Sequence, residues 1–218
     1  QKDHQYYPEL EKTMISKATV DRLPVYFRTL QQLKDTGIEV ISSEELGRRI
    51  GFSPEQIRKD FAMFGEFGKK GVGYYVEYLI SKINEILGLN RIWNICIVGY
   101  GHLGNALAHH QNFSNLGFKL QAVFDEDEAK IGQKVQEDVE IFSTKQITEI
   151  IKEKNIEIGI ISVPAAYAQQ VADLLTQAGV KGIWNFSPTR IEIPSHVVMI
   201  SEDLSIGLST LSYYIVNQ

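Results

Sequence analysis

The sequence predicts an α/β chain of two domains, a winged helix-turn-helix unit followed by a Rossmann domain with a mostly parallel sheet. Three observations predict it. Two short helices with N-terminal caps are joined by Gly51-Phe52-Ser53 and followed by a stretch rich in glycine and lysine, Gly65 to Tyr74. A short apolar run, Ile95 to Val98, leads into Gly99-Tyr100-Gly101-His102-Leu103-Gly104 and then an Ala/Leu segment. From there strand-like and helix-like segments alternate as far as Ile200.

Composition sets the bounds. The 218 residues suffice for one or two domains with their own cores. No apolar run approaches the ~20 residues of a membrane span, and no signal-peptide pattern opens the chain. Cys96 is the one cysteine and sits in the strand ahead of the glycines, where packing is its expected role. No disulfide can form within one chain, so a cytoplasmic location is expected. The net charge of −5 argues against nucleic acid only on average. From Gly88 onward nine basic residues face fourteen acids, whereas Arg48 to Lys70 holds Arg48, Arg49, Arg58, Lys59, Lys69 and Lys70 against Glu55, Asp60 and Glu66. Local charge decides electrostatic binding.

In chain order, residues 1–16 are polar, lack a period and are expected to form a flexible tail. Residues 17–88 are assigned to the winged helix. Thr19 is the expected cap of its first helix, and Pro24 fits only if it lies in the first turn. Leu23, Tyr26, Phe27, Leu30 and Leu33 then recur at helical spacing up to Gly37. Ser42 to Glu45 and Ser53 to Gln56 both have capping-box spacing, the second with Pro54 at the first helical position. The second helix, Pro54 to about Phe64, buries Ile57, Phe61 and Phe64 and leaves Gln56, Arg58, Lys59 and Asp60 as its exposed set. An amide and two cations near the start of a helix suit base and phosphate contact. Gly65 to Tyr74 reads as a hairpin with Lys69 and Lys70 at its tip, able to reach phosphates or a minor groove. Tyr75 to Leu87 is an amphipathic helix that Gly88 ends, and Leu89 to Asn94 is a linker.

Residues 89–202 are assigned to the Rossmann domain. The first glycine of Gly99-x-Gly101-x-x-Gly104 permits the turn, the second lets backbone approach a pyrophosphate, and the third lets helix and strand pack. Lys119 to Phe124 is the next strand. It ends in Asp125, about 20 residues past the motif, where a ribose-binding acid belongs. Such an acid favours NAD(H) over NADP(H). Glu126, Asp127 and Glu128 add to the repulsion of a 2′-phosphate, and no arginine lies nearby to receive one. Then come a strand at Ile141-Phe142, a helix from Thr144 to Lys154, a strand from Ile156 to Val163, a helix from Gln169 to Ala178, and strands at Gly182 to Asn185 and Val197 to Ile200. Residues 203–218 form a final helix whose broad apolar face suggests a partner subunit.

These residues resemble the Rex family of redox-sensing transcriptional repressors. The resemblance is carried by Lys17-Ala18-Thr19, by Arg22-Leu23-Pro24-x-Tyr26-x-Arg28-x-Leu30, and by Ser42-Ser43-x-x-Leu46. It continues in Gln56-Ile57-Arg58-Lys59-Asp60-Phe61, Phe64-Gly65-x-x-Gly68-Lys69-Lys70-Gly71-Val72-Gly73-Tyr74, the glycine motif, Phe124-Asp125, Val163-Pro164-Ala165, Asn185-Phe186-x-Pro188 and Asp203-Leu204. Ser16 stands where a proline often precedes Lys17, and the N-terminal tail is long for the family.

The resemblance implies a homodimer that binds a double-stranded, inverted-repeat operator and senses NADH against NAD+. NADH would favour a closed dimer that leaves DNA, and NAD+ would permit repression. The cofactor candidates are Gly99, Tyr100, Gly101, His102, Leu103, Gly104, Asp125, Val163, Pro164, Ala165, Asn185 and Phe186. The DNA candidates are Thr19, Arg22, Ser42, Ser43, Gln56, Arg58, Lys59, Lys69, Lys70 and Gly71. Asp203, Leu204, Leu208, Leu211 and Tyr214 would lie on an exchanged helix, with Asp203 and Leu204 near the other subunit's nicotinamide. No metal, membrane or catalytic role is expected. His102, His109 and His110 lack further metal-ligand partners. A dehydrogenase would need a substrate domain and a proton-transfer set that the sequence does not offer. A coenzyme A-binding Rossmann domain shares the glycine turn but is disfavoured by Asp125.

Overall fold

The computed structural model describes residues 15–63, 65, 68, 69 and 71–217. Within them the chain divides into two compact units, one running to Arg91 and the other beginning at Ile92.

In the first unit α1 spans Lys17–Asp35. Its cap is Ser16, not Thr19: the Ser16 hydroxyl accepts the Thr19 N–H at 3.2 Å. Pro24 lies in the second turn, inside the helix. It is exposed, so the Val20 carbonyl that a proline cannot serve lies on the helix's outer face. The opposite face buries Leu23, Tyr26, Phe27, Leu30 and Leu33. Helices α2 (Ser43–Ile50) and α3 (Pro54–Ala62) form the helix-turn-helix. Ser42 and Ser53 each accept the N–H three residues on, and Gly51 ends α2 in the left-handed region. In neither pair does the third residue return a bond: Gln56 turns forward to Asp60 instead.

Strands β1 (Val40–Ile41), β2 (Gly68–Lys69) and β3 (Gly73–Tyr75) form a small antiparallel sheet in the order β1-β3-β2. The hairpin β2-β3 is the wing, with Gly68 opposite Tyr74 and Lys69 opposite Gly73. Lys70 and the Lys69 side chain, both DNA candidates, lie outside the described residues. Helix α4 (Val76–Ile86) packs Val76, Leu79 and Ile83 inward.

The second unit holds a seven-stranded sheet. Its central strand β4 runs Trp93–Val98, two residues earlier than the apolar run alone suggests. The others are β5 (Phe118–Asp125), β6 (Lys134–Gln136), β7 (Val139–Ser143), β8 (Ile158–Ile161), β9 (Gly182–Asn185) and β10 (Val198–Ser201). The order is β10-β9-β8-β4-β5-β7-β6, parallel throughout except for the pairing of the edge strand β6 with β7. Because β4 pairs with β5 on one side and β8 on the other, the strand order reverses at β4, and the crevice beyond its carboxyl end is where such sheets bind ligands.

Side-chain alternation builds the two faces of this sheet. Cys96, Val98, Phe124 and Ile161 pack against α7 (Ile147–Glu153) and α8 (Ala165–Ala178). Ile95, Ile97, Val123 and Ile160 pack with Leu107 and Ala108 of α5 (His102–Ala108). Burial pushes the Cys96 thiol up to about 12, so it is a packing residue with no thiolate at neutral pH. A short helix α6 (Asn112–Asn115) precedes β5. A 3-10 turn (Thr144–Gln146) precedes α7, so the helix expected from Thr144 begins later. Helix α8 instead begins earlier than expected, directly after Pro164. The last helix, α9 (Leu204–Val216), is exposed along its whole described length.

Candidate nucleotide crevice and DNA-facing helix pair

Beyond the ends of β4, β5 and β8 lies a cavity of about 270 Å³, lined by Gly99, Gly101, Asp125, Glu126, Lys130, Thr144, Ser162, Val163, Pro164, Tyr167 and Val171. The glycine motif shapes it. Gly99 has φ +97°, and a Cβ there would come within 2.7 Å of the Ser162 carbonyl oxygen. A Cβ at Gly104 would lie 1.9 Å from the Gly99 carbonyl oxygen, so α5 can sit on the turn only if residue 104 has no side chain. At Gly101 a Cβ would meet nothing within 4 Å; it would occupy the free space beside the turn. That free space lets a pyrophosphate approach the backbone, so the residues present fit a dinucleotide. Ser162, which the sequence reading passed over, fixes the turn from the neighbouring strand end. Its hydroxyl lies 2.8 Å from the Gly99 carbonyl oxygen and 3.2 Å from that of Val98.

Asp125 ends β5 at the crevice. Its Oδ2 accepts the Tyr100 N–H at 2.7 Å, and its Oδ1 accepts the Asp127 N–H at 2.9 Å. Burial would push its carboxyl up, but those two N–H groups and the ammonium of Lys130 outweigh burial and hold it below the usual range. It is therefore ionised at neutral pH. No arginine stands near this acid in the sequence, but a lysine does in the structure: Lys130 Nζ is 3.2 Å from Asp125 Oδ2.

The remaining cofactor candidates fall into three groups. Val163 and Pro164 line the cavity, and Ala165 follows as the first residue of α8. Tyr100 and Leu103 turn toward the core on the α5 side of the sheet, and His102 is exposed at the start of α5. Asn185 is fully buried. Its amide donates to the Ser187 carbonyl at 3.1 Å and to the Ser201 hydroxyl at 3.3 Å, while its Oδ1 accepts the Ser187 N–H at 2.9 Å. Ser187 Oγ in turn donates to the Val163 carbonyl at 2.6 Å, so Asn185 acts through the loop that lines the cavity. Phe186 packs on Trp184, ring centroids 4.5 Å apart, in an aromatic row with Phe113 and His110.

The DNA candidates divide around Asp60. Expected on the exposed face, Asp60 is instead fully buried. It accepts from Arg22 Nε and Nη2, each at 2.6 Å, from the Tyr26 hydroxyl at 2.7 Å, from Gln56 Nε2 at 2.8 Å and from Thr19 Oγ1 at 3.3 Å. Burial pushes its carboxyl up, but the bonds from Arg22, Tyr26 and Gln56 more than offset this and hold it low. Thr19 is buried, and Arg22 gives its Nε and Nη2 donors to Asp60, so both tie α1 to α3. Gln56 is likewise bound to Asp60. The Ser42 hydroxyl is occupied as a cap, and buried Ser43 accepts from Arg58 Nη1 at 2.8 Å. Arg58 also pairs with Glu44 at 3.0 Å and remains half exposed. Lys59 is exposed on the same helix, and Gly71 at the wing tip is exposed with φ +83°.

At the C-terminus Asp203 caps α9, its Oδ1 accepting the Ser205 N–H at 2.8 Å. Leu204, Leu208, Leu211 and Tyr214 are all exposed, Leu208 at 72 %. Among the described residues no group of His, Cys, Asp or Glu could hold a metal ion, and no helix is long and apolar enough to cross a membrane.

Fold and site together define a protein with a winged helix-turn-helix unit and a dinucleotide-type Rossmann crevice on one chain. Two family descriptions match in that order: "Putative DNA-binding protein N-terminus" at residues 14–62 and "CoA binding domain" at residues 90–189. The chain is 47 % identical over 201 residues to the redox-sensing transcriptional repressor Rex of Carboxydothermus hydrogenoformans, covering 92 % of this chain and 96 % of that protein. It is 49 % identical over 183 residues to the protein of the same name from Maridesulfovibrio salexigens, covering 84 % and 87 %. A solved structure described as RSP in complex with β-NAD+ and operator DNA superposes with a TM-score of 0.89 at 40 % identity, covering 94 % of both chains. RSP in complex with β-NADH gives 0.85 at 38 % identity, covering 94 % of this chain and 95 % of that one. The chain belongs to the Rex family of redox-sensing transcriptional repressors.

Proposed function

We propose that this chain is a transcriptional repressor whose helix-turn-helix binds operator DNA and whose Rossmann crevice reads NADH against NAD+. One observation carries the reading: a built dinucleotide crevice ending in an ionised acid shares a chain with a helix-turn-helix and wing. Relatives named as redox-sensing repressors match nearly its whole length.

In this reading Gly99, Gly101 and Gly104 admit the pyrophosphate, Asp125 accepts from the adenosine ribose hydroxyls, and Val163, Pro164 and Ala165 shape the nicotinamide end. The bound nucleotide supplies one signal, the charge on its nicotinamide ring. On the DNA side Arg58 and Lys59 face the major groove, and Lys69, Lys70 and Gly71 face the neighbouring backbone or minor groove. A homodimer would place two such units on an inverted repeat, with half-sites ~34–36 Å apart. The subunits would exchange α9, bringing Asp203 and Leu204 toward the partner's nicotinamide. To invert a 99:1 population the closed dimer must hold NADH about 5.5 kcal/mol better than the DNA-competent one does. The lone buried thiol of Cys96 suits the reducing cytoplasm where we place the protein.

The experiment is a fluorescence-anisotropy titration of an inverted-repeat duplex at fixed salt, with NADH and NAD+ added in parallel. Release by NADH alone supports the reading; binding that ignores both nucleotides, or no duplex binding, overturns it. The family description at residues 90–189 favours a second reading, coenzyme A in the same crevice. Full NADH affinity in Asp125→Ala would support it.

A further inference from the structure

Asp125 does not face the crevice alone. The loop after β5 folds back on itself: Asp127 Oδ1 accepts the Ala129 N–H at 3.0 Å, and the Asp127 carbonyl accepts the Lys130 N–H at 2.9 Å. This returns the Lys130 side chain to the residue where the loop began. Its Nζ lies 3.2 Å from Asp125 Oδ2 and 3.8 Å from Asp127 Oδ2, and it lines the same cavity as Asp125 and Glu126.

The two members of this pair act oppositely on a phosphate carried by the ribose. A carboxylate accepts from free 2′- and 3′-hydroxyls; a 2′-phosphate removes one of those donors and sets negative charge against it. An ammonium is a point charge that binds phosphate. We propose that the Lys130–Asp125 pair is the specificity determinant of the crevice: Lys130 marks a subsite for an adenosine 2′-phosphate, and the Asp125 carboxylate keeps it shut. The proposal rests on reading the crevice as an NAD(H) site. Of the carboxylates that turn NADP(H) away, Asp125 is the one that holds the cation, which is already in place beside it. Neutralising Asp125 frees Lys130, against which only Asp127, at the longer distance, and Glu126 still act.

The test uses the full-length chain and calorimetric titration with NADH and NADPH, with thermal melts as a check on folding. The wild-type chain binds NADH more tightly than NADPH. Asp125→Asn, which keeps the shape and one acceptor for the Tyr100 and Asp127 N–H groups, gains NADPH affinity by roughly tenfold or more while losing NADH affinity. In Asp125→Asn/Lys130→Met that gain disappears. A gain that survives in the double variant, or no gain in a folded Asp125→Asn, overturns the proposal. Should both Asp125 variants fail to fold, Lys130→Met in the wild-type background decides the matter: NADPH affinity falls further relative to NADH if the subsite exists, and an unchanged ratio overturns it. A wild-type chain that binds neither nucleotide removes the NAD(H) reading itself, and the proposal with it.

Discussion

Arg22 grips Asp60 with two parallel bonds of 2.6 Å, from Nε and Nη2, on a carboxylate that no solvent reaches. The pair joins α1 to α3, the helix proposed to enter the major groove. Bidentate geometry and the extra donors from Tyr26 and Gln56 satisfy a charge that burial alone would make costly. Removing one partner leaves the other uncompensated. Arg22→Ala is expected to destabilise the first unit by about 3–5 kcal/mol in chemical denaturation and to weaken operator binding through the displaced helix. A loss under 1 kcal/mol would make the pair incidental.

The same carboxylate fixes a pH dependence. Its folded pKa lies below the ordinary value of ~3.9. The contribution is therefore complete above the ordinary value and is lost as pH falls through the lower, folded one. Between pH 7 and 5 this group should leave the denaturation midpoint unchanged; the midpoint should fall below about pH 4, and less steeply in Asp60→Asn. Equal acid slopes in the two proteins would assign the loss to other carboxylates.

The glycines of the turn separate folding from binding. An alanine Cβ at Gly104 would lie 1.9 Å from the Gly99 carbonyl oxygen, so the turn must shift, at a cost of about 1–3 kcal/mol and with loss of NADH affinity. At Gly101 the added methyl meets open space where the pyrophosphate is proposed to lie. Gly101→Ala should melt within about 0.5 kcal/mol of wild type yet bind NADH at least roughly tenfold more weakly. Unchanged NADH affinity there would move the pyrophosphate off the turn.

Lysines of the proposed DNA face make a quantitative prediction through salt. Each phosphate contact contributes about 0.9 to the slope of log K against log salt. Lys59→Ala should flatten that slope by about one such step on any duplex, and Lys69→Ala/Lys70→Ala by about two, with little change in sequence preference. Anisotropy titrations at four salt concentrations read both. An unaltered slope in the double variant would remove the wing from the interface.

Chemistry that is local in sequence was legible; chemistry assembled across helices was not. The glycine turn, its strand and Asp125 announce themselves because one short segment must satisfy a turn, a close packing and a charge. The sequence alone places Asp60 on the surface, because a carboxylate beside Arg58 and Lys59 looks solvated. Its spacing said otherwise: it lies three residues from buried Ile57, on the same face, and Thr19, Arg22 and Tyr26 share one face of α1. Only the packing of the two helices shows that these faces meet. Lys130 escaped notice for a similar reason, since a tight loop, not a regular element, returns it to Asp125. Strand β6 was missed because Lys134-Val135-Gln136 carries a single apolar residue, as an edge strand can.

Helix α9 carries the last prediction. Its thirteen residues have Leu204, Ile206, Leu208, Leu211, Tyr214 and Ile215 exposed, and none is buried. Isolated helices of this length are marginal in water, and a continuous apolar surface of this kind ordinarily marks an interface. Asp203 caps the helix, so its start is fixed by the chain itself, while its apolar side needs a partner. A second copy related by two-fold symmetry supplies one: each subunit would cover the other's helix. Sedimentation should show a dimer for the wild-type chain at micromolar concentration and a monomer for Leu208→Glu/Leu211→Glu. That variant should keep the melting transition of the Rossmann core, from which α9 stands apart, and lose operator affinity, because two linked half-site contacts become one. A wild-type monomer would remove the proposed dimer, and a variant that stays dimeric would place the subunit contact elsewhere.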